Sequence, residues 1–157
     1  MDFARPLAER LARNAGLTLG RGEDLERLRS GHLYMALDDH HLGVEVTNGE
    51  LTLRTPKSPP FNGHRPSVDF MFNSALGIPM PMMAILLTGM GRDGSLGLRF
   101  LSKEDVFCVA QGEEDCVVFG MPKEAIERGA AHFVGNLTEI RDMMIGSFNL
   151  TRRRSAG

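Results

Sequence analysis

In the second half of the chain, short unbroken runs of apolar residues alternate with groups of apolar residues at helical spacing. Residues 82–88 and 106–110 are almost entirely apolar, which is typical of strands buried on both faces of a parallel sheet. Helical spacing follows each run, at 95–102 and 122–128. A last helical pattern reaches residue 148, and the residues 136–139 (NLTE) that open it resemble a capping box. Strands that alternate with helices predict βαβ units and a doubly wound, mostly parallel α/β sheet.

The first half of the chain predicts a mixture of helix and short strands with a β-hairpin insertion. Asn48 and Gly49 separate two alternating segments and favour the positive φ angles of a type I′ turn. Ser67 occupies a typical N-cap position. The predicted elements are a helix over 3–14 that Gly16 ends, strands over 17–19 and 33–37, a hairpin over 44–53, a loop over 55–66 and a helix after Ser67. We expect one domain over 1–148, followed by a disordered basic tail over 149–157.

The apolar run that ends at Leu87 leads into a glycine-rich turn that carries one acid, Asp93. The carboxyl ends of parallel strands are where α/β proteins place their chemistry, and glycines allow a sharp, closely approached loop there. One interpretation therefore makes Asp93 a functional residue at this edge of the sheet. The other is that Asp93 caps the helix that begins near Ser95. Turn chemistry alone leaves both open.

Composition and charge narrow the class of protein. The 157 residues can form a domain with a real core, and 42% hydrophobic and 24% charged residues are typical of a soluble globular protein. A net charge of −2 argues against a dedicated nucleic-acid binder. No apolar run reaches the ~18 residues of a membrane span, and the first residues do not form a signal peptide. Two cysteines, Cys108 and Cys116, are too few for a disulfide framework and favour a reducing, cytoplasmic location.

The common catalytic fingerprints are missing from the sequence. It contains no Gly-x-Ser-x-Gly elbow, no Walker A loop and no complete Gly-x-Gly-x-x-Gly motif. Residues 38–41 (DDHH) offer metal-ligand chemistry, but neighbouring residues on a strand point to opposite faces and converge poorly on one ion. We therefore expect neither a metal nor a cofactor.

Five segments resemble the catalytic domain of CheB-type chemotaxis methylesterases. Residues 87–94 (LTGMGRDG) are similar to the catalytic-aspartate motif of that family. The other similar segments are 3–11 (FARPLAERL), 31–42 (GHLYMA, then DHHL), 64–75 (HRPSVDF, then NSA) and 110–122 (AQ, then CVVFGMP). The resemblance runs from about residue 3 to residue 145 and is specific, because several independent segments occur in the family's order.

The resemblance implies an activity and a set of site residues. The family hydrolyses glutamyl methyl esters on chemoreceptors and can deamidate receptor glutamines. Its chemistry is that of a Ser-His-Asp hydrolase, in which the aspartate holds the tautomer of the histidine. The resemblance assigns this aspartate role to Asp93. The other residues that it places at the site are Gly89, Met90, Gly91 and Gly94 in the active-site loop, with Met90 near the reacting carbonyl, and Arg65 and Met121 in the substrate cleft.

The sequence departs from the family pattern in one respect that affects activity. In the family, the serine and histidine segments precede the helix that resembles residues 3–11, and neither segment is found in this sequence. We therefore expect the first one or two strands of the sheet to be missing, and these 157 residues alone to be inactive. Three hypotheses stay open: a shortened methylesterase domain, a non-catalytic receptor-binding module, and one half of a split esterase.

Each hypothesis implies partners. The resemblance implies the cytoplasmic region of a chemoreceptor as substrate and a receiver domain as a regulatory neighbour. A second chain could supply the missing strands, and strand edges left exposed would also favour a homo-oligomer. Neither nucleic acid nor insertion into a membrane is expected.

Overall fold

A computed structural model describes residues 3–155, with side chains described for residues 3–147. The chain divides into two compact units, Met1–Met80 and Pro81–Gly157. We call them the N-terminal unit and the C-terminal unit.

The N-terminal unit begins with a helix and a short parallel strand pair. Helix α1 (Ala4–Ala15) ends at Gly16, whose φ of 66° is the left-handed conformation expected of a glycine C-cap. Strand β1 (Thr18–Leu19) pairs in parallel with β2 (His32–Leu33). The strand predicted over 33–37 is therefore only two residues long in the structure, since the chain leaves the pairing after Leu33.

A hairpin and a capped helix complete the N-terminal unit. Strands β3 (Gly43–Thr47) and β4 (Glu50–Arg54) are antiparallel, and Asn48 and Gly49 between them have φ angles of 53° and 80°, which confirms the predicted turn. Helix α2 (Val68–Ser74) begins after Ser67, whose hydroxyl accepts a hydrogen bond from the Phe70 amide at 3.2 Å. The Ser74 hydroxyl accepts a bond from the Val44 amide at 2.9 Å and so ties the helix to the hairpin.

The C-terminal unit contains the parallel sheet that the apolar runs predicted. Strands β5 (Met82–Leu86), β6 (Val106–Gln111) and β7 (Phe133–Gly135) lie in this order, all parallel. Helix α3 (Ser95–Leu101) connects β5 to β6, and a 3₁₀ turn (Glu113–Asp115) with helix α4 (Met121–Glu127) connects β6 to β7. Fully buried side chains of this core include Leu98, Leu101, Cys108, Val109 and Ala125. The α/β class is confirmed.

Helix α5 (Leu137–Ser155) follows β7 and is the longest helix. Its start is the reciprocal capping box that the sequence predicted: the Asn136 side chain accepts from the Glu139 amide and the Glu139 carboxylate accepts from the Asn136 amide, both at 2.9 Å. The helical backbone continues through residues 149–155, where the sequence predicted a disordered tail, and residues 156 and 157 lie outside the described residues. No helix within the described residues is long and apolar enough to cross a membrane.

Candidate active site

The loop that carries Asp93 follows β5 and leads directly into α3. The Asp93 carboxylate is buried, with only 7% of the residue exposed. The N-cap residue of α3 is Gly94, which has a φ of 85° and no side chain that could cap the helix. Ser95 closes the turn around the aspartate, because its amide and hydroxyl both donate to the Arg92 carbonyl, at 3.1 and 2.7 Å.

The glycine loop before Asp93 interlocks with the chain segment that precedes α4. The Gly89 amide donates to the Val118 carbonyl at 3.0 Å, and the Gly89 carbonyl accepts from the amides of Gly120 and Met121 at 3.1 and 2.9 Å. A Cβ atom added to Gly120 would lie 2.7 Å from the Gly89 carbonyl oxygen and 3.0 Å from the Gly91 nitrogen. Only glycine at position 120 therefore lets the two segments approach this closely.

Thr88 extends this interlocking by one residue. Its hydroxyl donates to the Val118 carbonyl at 3.0 Å and accepts from the Val118 amide at 2.8 Å, so one side chain replaces two ladder bonds of a strand. The Thr88 amide donates to the side-chain oxygen of Gln111 at 2.8 Å. The carboxyl end of β5 is thus fixed from two sides before the glycine loop begins.

Gln111 and Asp115 form a polar pair at the end of β6 that the sequence did not single out. Gln111 is fully buried, and its amide nitrogen donates to the backbone oxygen of Asp115 at 3.1 Å and to its carboxylate at 2.9 Å. The second carboxylate oxygen of Asp115 accepts from the Leu137 amide at 2.7 Å. The bond from Leu137 lowers the pKa of Asp115 most, and the bond from Gln111 lowers it further. The only sequence signal was that Gln111 belongs to one of the family-like segments.

The structure brings most of the predicted site residues together. Gly89, Met90, Gly91, Asp93 and Gly94 form one loop at the carboxyl end of β5. Met90 is 83% exposed at the outer side of this loop. The Met121 side chain packs against the α-carbon of Gly89, where a Cβ would collide with the Met121 sulfur.

Arg65 lies in the N-terminal unit and its guanidinium is already engaged. It donates to both carboxylate oxygens of Asp39, from Nε at 2.9 Å and from Nη2 at 2.7 Å, and to the Ser58 carbonyl from Nη1 at 3.0 Å. This bidentate pair raises the pKa of Arg65 and lowers that of Asp39. Arg65 therefore anchors the 58–66 loop, and binding a substrate carboxylate would require it to give up Asp39.

The remaining groups with potential chemistry are occupied or inert. His40 donates to Asp38 at 2.7 Å, whereas His41 is buried and donates from Nε2 to the Pro59 carbonyl at 3.1 Å, so the two rings do not converge. Among the described residues no group of three or more His, Cys, Asp or Glu side chains could hold a metal ion. Burial raises the pKa of Cys108 to about 11, which keeps this thiol protonated and unreactive.

The chemistry that this loop can supply is that of a fixed acceptor. A buried carboxylate on a rigid turn at the carboxyl end of a parallel strand can hold an imidazole in one tautomer and stabilise the imidazolium. In acyl transfer by a serine hydrolase such a carboxylate is neither the nucleophile nor the general base, which are other side chains.

Comparisons with known proteins bear on the family and the fold of this chain. The sequence model of the family described as CheB methylesterase matches residues 1–144. A protein-glutamate methylesterase/protein-glutamine glutaminase 2 of Shewanella sp. (strain MR-4) is 42% identical over 91% of this chain and 41% of its own length. The corresponding protein of Yersinia pestis is 38% identical over 94% of this chain and 42% of its own length. The chain thus spans about two fifths of the curated relatives it matches.

One solved structure is similar to most of this chain. The crystal structure of the Thermotoga maritima CheB methylesterase catalytic domain has a TM-score of 0.85 and 38% sequence identity, and the match covers 92% of this chain and 77% of that chain.

Proposed function

This chain belongs to the CheB methylesterase family, and we propose that it carries the aspartate part of a catalytic domain that hydrolyses glutamyl methyl esters of chemoreceptors and deamidates their glutamines. The observation that carries the proposal is Asp93, which is buried on a glycine loop at the carboxyl end of β5. The family-like sequence around it, the fold and the position of the loop all favour the same role.

In the proposed reaction Asp93 accepts a hydrogen bond from the Nδ1–H of the triad histidine. The histidine Nε2 then takes the proton of the serine hydroxyl as the serine oxygen attacks the ester carbonyl, and the same proton passes to the methoxide as the C–O bond breaks. Methanol leaves, water hydrolyses the acyl-enzyme, and the products are a glutamate carboxylate and free serine. With a glutamine the leaving group is ammonia.

The loop residues would take supporting roles. The Met90 side chain is 83% exposed and so open to a substrate, which supports placing it near the reacting carbonyl. Gly89 uses its amide and its carbonyl on Val118, Gly120 and Met121, so we expect it to hold the loop rather than to bind the oxyanion. Arg65, engaged with Asp39, is a weaker candidate for direct contact with substrate than the sequence suggested.

The test is the change Asp93→Asn in a chain extended by the segments of a relative that carry the family's serine and histidine. Methanol release from a methylated receptor fragment should fall by roughly 10⁴, the scale of the same change in a serine protease, because the histidine would be held in the wrong tautomer. Asp105→Asn is the matched control, since Asp105 is an exposed aspartate just before β6, at the opposite end of the sheet. An Asp93→Asn enzyme with most of its activity would refute the assignment.

The 157-residue chain without the added segments is the reference sample of the same experiment. We expect its methanol release not to exceed background, and release that Asp93→Ala abolishes would refute that expectation. A cytoplasmic location and a chemoreceptor partner follow from the family and stay predictions for this chain.

A further inference from the structure

We propose that Gln111 is a positioning residue for the Asp93 loop, fixed by Asp115 and acting through the Thr88 amide. This inference rests on the proposed function for its catalytic consequence, but the contacts that carry it do not depend on that function. It assigns a role to a buried polar cluster that neither the triad nor the glycine loop accounts for.

Gln111 continues the sheet with a side chain where the backbone ladder stops. The last residue pair of the β5–β6 register is Leu86 with Ala110. Beyond it the Gln111 side-chain oxygen accepts from the Thr88 amide at 2.8 Å, in the place of a backbone carbonyl. Gln111 is fully buried whereas Thr88 is exposed, so losing this acceptor would release the Thr88 amide to water and loosen the start of the loop.

Asp115 decides which end of the Gln111 amide faces Thr88. The amide nitrogen is directed at two oxygens of Asp115, at 2.9 and 3.1 Å, so the oxygen must point the other way. Asp115 is itself held by the Leu137 amide at the start of α5. A continuous chain of hydrogen bonds therefore leads from the start of α5 to the residue that begins the loop.

The position of Thr88 sets the position of the loop. Its hydroxyl makes both bonds to Val118, and Gly89 continues with three further backbone bonds to the segment before α4. A rotation at Thr88 would displace Gly89 and Gly91, and with them the end of the loop that holds Asp93. A displacement of about 1 Å in a catalytic geometry can cost roughly 10²-fold in rate, whereas substrate binding need not change.

The test moves the carboxylate of the pair from residue 115 to residue 111. Gln111→Glu keeps an acceptor for Thr88 but places a carboxylate against Asp115, which should release the loop. The double change Gln111→Glu with Asp115→Asn restores one bond of the pair with the donor and acceptor exchanged: the asparagine amide donates to the glutamate carboxylate and its oxygen still accepts from the Leu137 amide, while the backbone oxygen of residue 115 loses its donor. We expect the single variant to lower kcat at least about ten-fold with KM unchanged, and the double variant to recover part of the loss.

Amide hydrogen exchange on the 157-residue chain provides a readout that needs no activity. In Gln111→Glu, exchange at Thr88 and Gly89 should rise at least about ten-fold while exchange at Val109, in the middle of β6, stays unchanged; the double variant should restore part of the protection. Wild-type exchange and kcat in Gln111→Glu, or a double variant that does not recover, would overturn the proposal. If the single variant does not fold, the double variant decides by itself, since it must then fold with protected Thr88 and Gly89 amides.

Methanol release and amide exchange distinguish a failure of the proposed function from a failure of the role proposed for Gln111. An extended wild-type chain that releases no methanol would refute the proposed function, and the exchange result would still decide the role of Gln111.

Discussion

Gly120→Ala should disturb the Asp93 loop without altering any functional group. The added methyl carbon would lie 2.7 Å from the Gly89 carbonyl oxygen, 3.0 Å from the Gly91 nitrogen and 3.2 Å from the Gly91 oxygen. All three atoms belong to backbone, so no flexible side chain can move aside. The segment before α4 must instead withdraw from the loop, which stretches the bonds that the Gly89 carbonyl accepts from Gly120 and Met121.

The expected cost follows from these contacts. Overpacking a rigid site costs ~1–3 kcal/mol, and each weakened hydrogen bond adds up to ~1 kcal/mol. We therefore expect Gly120→Ala to lower the free energy of unfolding by roughly 2–4 kcal/mol, which for a chain of this size is a fall in Tm of about 5–15 °C. The φ of Gly120 is −107°, so the cost comes from the collision and not from backbone strain.

Gly112→Ala is the matched control in the same unit. A Cβ at Gly112 would meet its nearest atoms at 3.6 Å, an ordinary contact, and the φ of −69° suits any residue. Alanine there should be neutral or stabilising by up to ~1 kcal/mol, because it restricts the unfolded chain. Urea unfolding of both variants with matched m-values is the assay. If Gly120→Ala unfolded within ~0.5 kcal/mol of Gly112→Ala, the close approach would not be what seats the loop.

Two further predictions concern pH. The pKa of Asp115 is lowered in the folded state, so its carboxylate stabilises the fold above its unfolded pKa, and this contribution is lost as pH falls through the folded value. Asp115→Asn should therefore flatten the acid limb of unfolding free energy against pH, and an unchanged slope would contradict the assignment. Burial raises the pKa of Cys108 from 9.0 to about 11. The contribution of the protonated thiol to the free energy of unfolding is therefore complete below pH 9 and is lost as pH rises towards 11. At pH 8 a thiol reagent should label the part-exposed Cys116 in the native chain and Cys108 only after unfolding, and native labelling of Cys108 would show that its core opens.

Much of the fold follows from local patterns in the sequence. The buried strands, the Asn48–Gly49 turn, the Ser67 cap and the capping box at Asn136 each depend on residues within a few positions of one another. Such patterns report the local backbone conformation directly, which is why these elements were predicted. The aspartate loop was predicted for the same reason, since its glycines and its acid are consecutive with the strand that positions them.

Long-range contacts decided the rest. Thr88 is 23 positions from Gln111 and 30 from Val118, and Leu137 is 22 from Asp115, so no local pattern marks these bonds. The close approach at Gly120 likewise exists only once the segment before α4 lies against the loop. Tertiary structure also shortened the strand predicted over 33–37, because pairing and not propensity ends a strand. The sequence by itself determined that an aspartate stands on a glycine loop after a buried strand. Which groups hold that loop was decided by the packing of β5, β6 and α5, whose polar ends meet only in the folded chain.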